Sequence, residues 1–131
     1  MRLLLDTHVW LWSLLEPQRL KPRVRRALGS DSSELWLSPI SVWETLVLAE
    51  RGRIALEPDA RTWVQDVLAL VPMSEAPVTF AIAEESQALA LPHQDPADRF
   101  LAATAKVLEL TLVTGDRRLL PGRGYATLSN R

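Results

Sequence analysis

The chain predicts an α/β protein: a central parallel sheet of four to five short strands with helices on both faces. Three observations carry this prediction. Short apolar runs alternate with longer helix-like segments along the whole chain. The first run, Leu3-Leu4-Leu5, is continuously apolar, as a strand buried on both faces reads, rather than alternating apolar with polar. Prolines fall where helices begin, at first-turn positions whose N–H has no helical partner anyway. Repetition of strand and helix builds a parallel sheet through right-handed crossovers.

Taken in order, residues 2–5 form the first strand, followed by a helix over about 7–15 that Pro17 closes. Pro22 opens a second helix that ends near Gly29. Leu35-Trp36-Leu37 is the second strand. Ser38-Pro39 then supplies an N-cap and a first helical residue, for a helix that runs to about Arg51 and stops at Gly52. Asp59 caps the next helix, about 60–69. Leu70-Val71-Pro72-Met73 is a weak third strand, and its proline places it at a strand end or sheet edge. Pro77 opens a helix to about Ala90, and Asp95-Pro96 opens another over about 96–109. Residues 110–114 are the fourth strand, and 126–128 a fifth at the edge.

The length of 131 residues suits one domain, 1–131, with a single core, and neither a repeat nor a linker divides it. With 47% apolar and 24% charged residues the balance is that of a soluble globular protein and excludes disorder. Cysteine is absent, which removes disulfides, thiolate metal sites and cysteine nucleophiles. Asp6 and His8 interrupt the N-terminal apolar run before a signal sequence can form. No stretch approaches the roughly 18 apolar residues of a membrane span, so the expected location is cytoplasmic, with no membrane partner. The net charge of −1 gives no global support to nucleic-acid binding. Local clusters at Arg23-Val24-Arg25-Arg26 and Arg117-Arg118 are candidates for a basic rim; plain solvated surface is the competing reading.

Four acids stand where such a fold gathers them into one cleft: Asp6, Glu44, Asp98 and Asp116. Asp6 and Asp116 follow strands, while Glu44 and Asp98 lie near helix starts. In an open parallel sheet, ligands bind beyond the carboxyl ends of the strands. Carboxylates converging there repel one another unless a cation lies between them. The pattern points to Mg²⁺ or Mn²⁺, one ion or two, and to phosphodiester hydrolysis by an activated water.

Each acid also has a plain structural reading. Asp6 can be a helix N-cap, unless Thr7 takes that task. Ser41-Val42-Trp43-Glu44 spells a capping box, whereas a helix start at Ser38 puts Glu44 more than one turn inside the helix. Asp98 suits the positive end of a helix dipole. Asp95 is the N-cap of the same helix, and Asp116 suits a turn after Gly115. Thr114 can hydrogen-bond a ligating carboxylate.

His8 and His93 lack a histidine partner at metal-ligand spacing, which argues against zinc. The five tryptophans are scattered over several elements, a pattern of core and interface packing rather than of base stacking. Trp10 and Trp12 cannot both face inward on one helix, so one is available to a partner chain. Gly122-Arg123-Gly124 is too short and too late for a phosphate-binding loop.

Four ordered segments resemble PIN-domain proteins, and among them the VapC toxins of bacterial type II toxin–antitoxin systems. They are Leu3-Leu4-Leu5-Asp6-Thr7-His8-Val9-Trp10, Ser38-Pro39-Ile40-Ser41-Val42-Trp43-Glu44, residues 93–105 and Leu112-Val113-Thr114-Gly115-Asp116. The resemblance spans nearly the whole chain. It implies a three-layer α/β/α PIN-like fold and a Mg²⁺- or Mn²⁺-dependent endoribonuclease. It implies Asp6, Glu44, Asp98 and Asp116 as the metal site, with Thr114 supporting it. Asp95 and Arg99 are common in this subgroup without an agreed role. It also implies an RNA substrate, a homodimer and a small VapB-like antitoxin.

Three other classes compete. A haloacid-dehalogenase-type phosphatase needs a second acid two residues after the first, where this chain has His8. A phospho-receiver module needs a lysine after a late strand, where Thr114-Gly115-Asp116 has none. A catalytically silent PIN-fold binding module is the third alternative.

Overall fold

A computed structural model of the chain describes residues 1–92 and 95–131. His93 and its loop position lie outside the described residues. Among the described residues there are five strands and six helices; the strands are β1 (Arg2–Leu5), β2 (Glu34–Leu37), β3 (Ser74–Glu75), β4 (Thr111–Thr114) and β5 (Ala126–Ser129). The six helices are α1 (Thr7–Leu15), α2 (Pro22–Leu28), α3 (Pro39–Glu50), α4 (Ala60–Leu70), α5 (Phe80–Ala88) and α6 (Pro96–Val107). A 3₁₀ turn, Pro17–Arg19, joins α1 to α2.

All pairings are parallel, in the order β3-β2-β1-β4-β5. β1 is central, with Leu4 opposite Trp36 on one side and Leu112 on the other. Chain order reverses across it, which opens a crevice at its carboxyl end. Leu3, Leu4 and Leu5 are almost wholly buried, and they alternate between two cores. Leu3 and Leu5 join Val9, Trp10, Val24 and Val64, from α1, α2 and α4. Leu4 joins Ile82, Leu101 and Leu112, with α5 and α6. Three layers result, as the unbroken apolar run requires.

The element order matches expectation; several boundaries move. The third strand lies at Ser74–Glu75 and not at 70–73, because α4 runs on to Leu70 and Pro72 has no N–H for a ladder. α5 starts at Phe80 instead of Pro77, since Thr79 is its cap and accepts a hydrogen bond from Ile82 N. α6 ends at Val107, two residues early, where Glu109 turns through φ +54° into β4. Near the edge, Gly122 has φ +60°, and a Cβ there would stand 2.5 Å from Tyr125 O, so this Gly is a steric requirement of the turn into β5.

Candidate active site

At the carboxyl end of β1 the chain turns directly into α1, and Asp6 is the junction. Asp6 Oδ1 accepts from Val9 N at 2.8 Å, which makes it the α1 N-cap. Its other oxygen, Oδ2, accepts from the Thr114 hydroxyl of β4. Thr7 therefore does not cap the helix. Its hydroxyl faces Glu44 Oε1 and Ser41 Oγ on α3 instead. Asp6 is 9% exposed. Burial raises its carboxyl above the ordinary range, the bonds from Thr114 and Val9 oppose this, and the nearby Asp116 charge adds to the rise.

Ser38 is the cap of α3, accepting from Ile40 N at 3.0 Å. Ser41 is not a cap, and Glu44 sits more than one turn inside the helix with no capping role. Its carboxyl too is raised, by burial first, while the Thr7 hydroxyl lowers it and Asp98 and Asp95 raise it further. Asp95 caps α6 through Ala97 N at 3.0 Å, and the same carboxylate lines the cavity shared by the other acids. Capping does not remove it from the site.

Asp116 also serves two ends. Its Oδ1 accepts from Arg118 N at 2.8 Å, closing an Asx turn, and its carboxylate pairs with the Arg118 guanidinium at 3.2 Å. Its own N–H donates to Thr114 Oγ1 at 3.0 Å. The Thr114 hydroxyl thus links two acids, donating to Asp6 and accepting from Asp116.

One cavity of about 460 Å³ collects these groups: Asp6, Glu44, Asp95, Asp98 and Asp116, with His8, Trp12 and Arg118 at its walls. Every acid named from the sequence is present. A smaller apolar hollow of about 380 Å³, where the end of β2 and the start of α3 meet β3, is lined by one acid, Glu75, and lies apart from this chemistry. The expected basic rim is half right: Arg118 lines the cavity, whereas Arg23 reaches the Ser129 carbonyl and Arg25 borders a different pocket.

Among the described residues, no three His, Asp or Glu side chains approach closely enough to cage a metal directly. The donor set fits a hydrated ion. Mg²⁺ keeps several waters and needs only one or two carboxylates in direct contact. Burial first, and neighbouring acids in addition, raise the carboxyls of Asp6 and Glu44, and five carboxylates sharing one cavity are a charge that a divalent cation would offset.

Arg99 carries the role the sequence left open, and it is structural. Buried at 8% exposure, its guanidinium donates to the carbonyls of Ser86, Leu89 and Leu91 at 2.7–3.0 Å. These belong to the end of α5 and the segment entering α6, where a cation suits the helix dipole. No periodicity marks such a clamp; only an arginine on a buried helix face hints at it.

A parallel sheet covered on both faces, with a carboxylate-lined crevice beyond its central strand, defines a class: three-layer α/β proteins with an acidic cavity at a topological switch point. The chain belongs to the PIN domain family, whose model matches residues 3–121. It is 40% identical over 119 residues to Ribonuclease VapC22 of Mycobacterium tuberculosis, with 88% of each chain covered. Its fold is similar to that of VapBC2 from Rickettsia felis bound to a promoter DNA fragment, at TM-score 0.72 and 13% identity over 98% of both chains. A toxin–antitoxin complex from Klebsiella pneumoniae aligns at TM-score 0.69 and 20% identity, over 98% of this chain and 97% of that one.

Proposed function

We propose that the chain is a divalent-metal-dependent endoribonuclease, the toxin of a VapBC-type pair, acting as one PIN-like domain over residues 1–131. The observation that carries this reading is the convergence of Asp6, Glu44, Asp98 and Asp116, from four separate segments, on one cavity. The 40% identity to a ribonuclease VapC supports the activity and the RNA substrate. Likeness to toxin–antitoxin complexes supports a VapB-like partner. A homodimer follows from the same family reading.

Asp6, Asp98, Asp116 and Glu44 would hold Mg²⁺ or Mn²⁺. The chemistry supplied by such an ion is a more acidic water and neutralisation of charge developing on the phosphate. Thr114 orients Asp6 and fixes the Asp116 backbone. Glu44, oriented by the Thr7 hydroxyl, brings the α3 carboxylate to the same cavity. Arg118, exposed at the rim, suits a phosphate oxygen.

The test is cleavage of single-stranded RNA by purified protein. Cleavage should require Mg²⁺ or Mn²⁺, stop in EDTA and stop in Asp6→Asn. Cleavage that persists in EDTA, or in that variant, would overturn the reading.

A further inference from the structure

We propose that a cleft beside the acidic cavity is the subsite for a nucleotide flanking the cut, formed by Trp12, Arg19, Lys21 and Arg131 and taking single-stranded RNA. This rests on the ribonuclease reading and names the path of its substrate. The cleft, about 460 Å³, is lined by Trp12, Gln18, Arg19, Lys21, Asn130 and Arg131. Trp12, Asn130 and Arg131 line the acidic cavity as well, so the two spaces share a wall. The charge changes sign across the shared wall. Five carboxylates and Arg118 line one side; Arg19, Lys21 and the shared Arg131 line the other, with Arg19 also pairing with the exposed Glu16 at 3.5 Å.

That division answers a physical difficulty. Phosphates flanking the cut are repelled by an acidic cavity, and a net charge of −1 offers no attractive field over the molecule. A local cationic wall supplies the attraction where the strand needs it. The flat groups suit the rest of a nucleotide. The Arg19 guanidinium lies 4.4 Å from the Trp12 ring centroid, and the His8 ring stands 5.7 Å from it on the same helix. Arg19 thus covers the half-buried Trp12 ring, and the outer guanidinium plane, held flat by that ring, is the surface on which an unpaired base stacks.

The wall is built, and its frame is the frame of the acidic site. Asn130 is buried at 7% exposure. Its Oδ1 accepts from Lys21 N at 2.7 Å, and its Nδ2 donates to Arg19 O at 3.3 Å. Its backbone N–H donates to the carbonyl of Thr114 at 2.9 Å. Thr114 in turn holds Asp6. Arg131 Nη1 donates to the Gly115 carbonyl, between Thr114 and Asp116. The Arg131 guanidinium and the backbone that carries Arg19 and Lys21 are thereby set at a fixed place relative to the carboxylates, which is what alignment of a strand over a reacting phosphate demands.

Steady-state cleavage of a quenched single-stranded RNA tests the subsite in Trp12→Ala, Trp12→Phe and the double variant Arg19→Gln/Lys21→Gln, with light scattering alongside. Trp12→Ala should raise KM by about tenfold to a hundredfold, the loss of one stacked base, with the greater part of the defect in KM. Trp12→Phe should recover most of it. The double variant should flatten the dependence of log KM on log salt by about 0.7 for each phosphate contact removed. Wild-type KM and salt slope in all three variants would overturn the subsite. So would a change in oligomeric state with KM unmoved, which would make Trp12 an interface residue. A wild-type protein that cuts no RNA would instead sink the ribonuclease reading. Anisotropy of a 2′-O-methyl strand in EDTA would then judge the subsite by the same comparison.

Discussion

Asp6 does two jobs with one carboxylate, and that is why its sequence context reads two ways. One oxygen caps α1 and the other takes the Thr114 hydroxyl. An ionised carboxylate has about four acceptor positions, so capping leaves room for a cation. Local pattern cannot separate cap from ligand, because both place an acid directly after a strand. The same holds for Asp95 and Asp116. Asp6→Asn should keep the cap, since Asn caps as well as Asp. It should also raise the melting temperature of the metal-free protein at neutral pH by removing a buried charge. The sign follows from proton linkage. A carboxyl raised in the fold binds more protons than in the unfolded chain, so its contribution to stability falls as pH climbs past the unfolded value near 3.8. Denaturation from pH 4 to 7.5 in EDTA should show the wild type losing stability relative to Asp6→Asn as pH rises. A gap that stays constant would mean that Asp6 is not raised.

At the scale of elements, the helix starts were the legible part, that of α5 excepted. Ser38, Asp59 and Asp95 cap the helices they were expected to cap, because a cap is a local bond between neighbours in sequence. The third strand was not legible. Two residues at a sheet edge are placed by where α4 ends and by pairing with Trp36 and Leu37, and neither is a local property. The α5–α6 junction was equally hidden, because Arg99 serves carbonyls eight to thirteen residues before it. Arg99→Leu leaves those carbonyls without their donor and should cost about 3 kcal/mol, read by urea denaturation. Arg99→Lys should recover little, since one ammonium cannot reproduce the planar fork. Full stability in Arg99→Lys would show that charge alone suffices there.

For the whole molecule, the alternation of elements and the unbroken Leu3-Leu4-Leu5 run were enough to foresee a doubly covered parallel sheet, because burial on both faces leaves no polar position. Strand order was not foreseen. It emerges from tertiary pairing, and it decides that Asp6 and Asp116 follow the carboxyl ends of adjacent strands. Trp12 was read as a packing or partner residue, yet it borders both clefts, since only the fold brings residues 19–21 and 130–131 beside it. Among the described residues, no helix is long and apolar enough to cross a membrane. A cation that binds only the folded chain should stabilise it by about 2.7 kcal/mol at a hundred times its dissociation constant, seen as a melting shift with Mn²⁺ that Asp6→Asn lacks. The most direct test is anomalous diffraction from crystals soaked in Mn²⁺. A manganese peak within coordination distance of Asp6 and of Asp98 or Asp116 is the predicted result; Mn²⁺ bound elsewhere, with that cavity bare at saturating concentration, would contradict it.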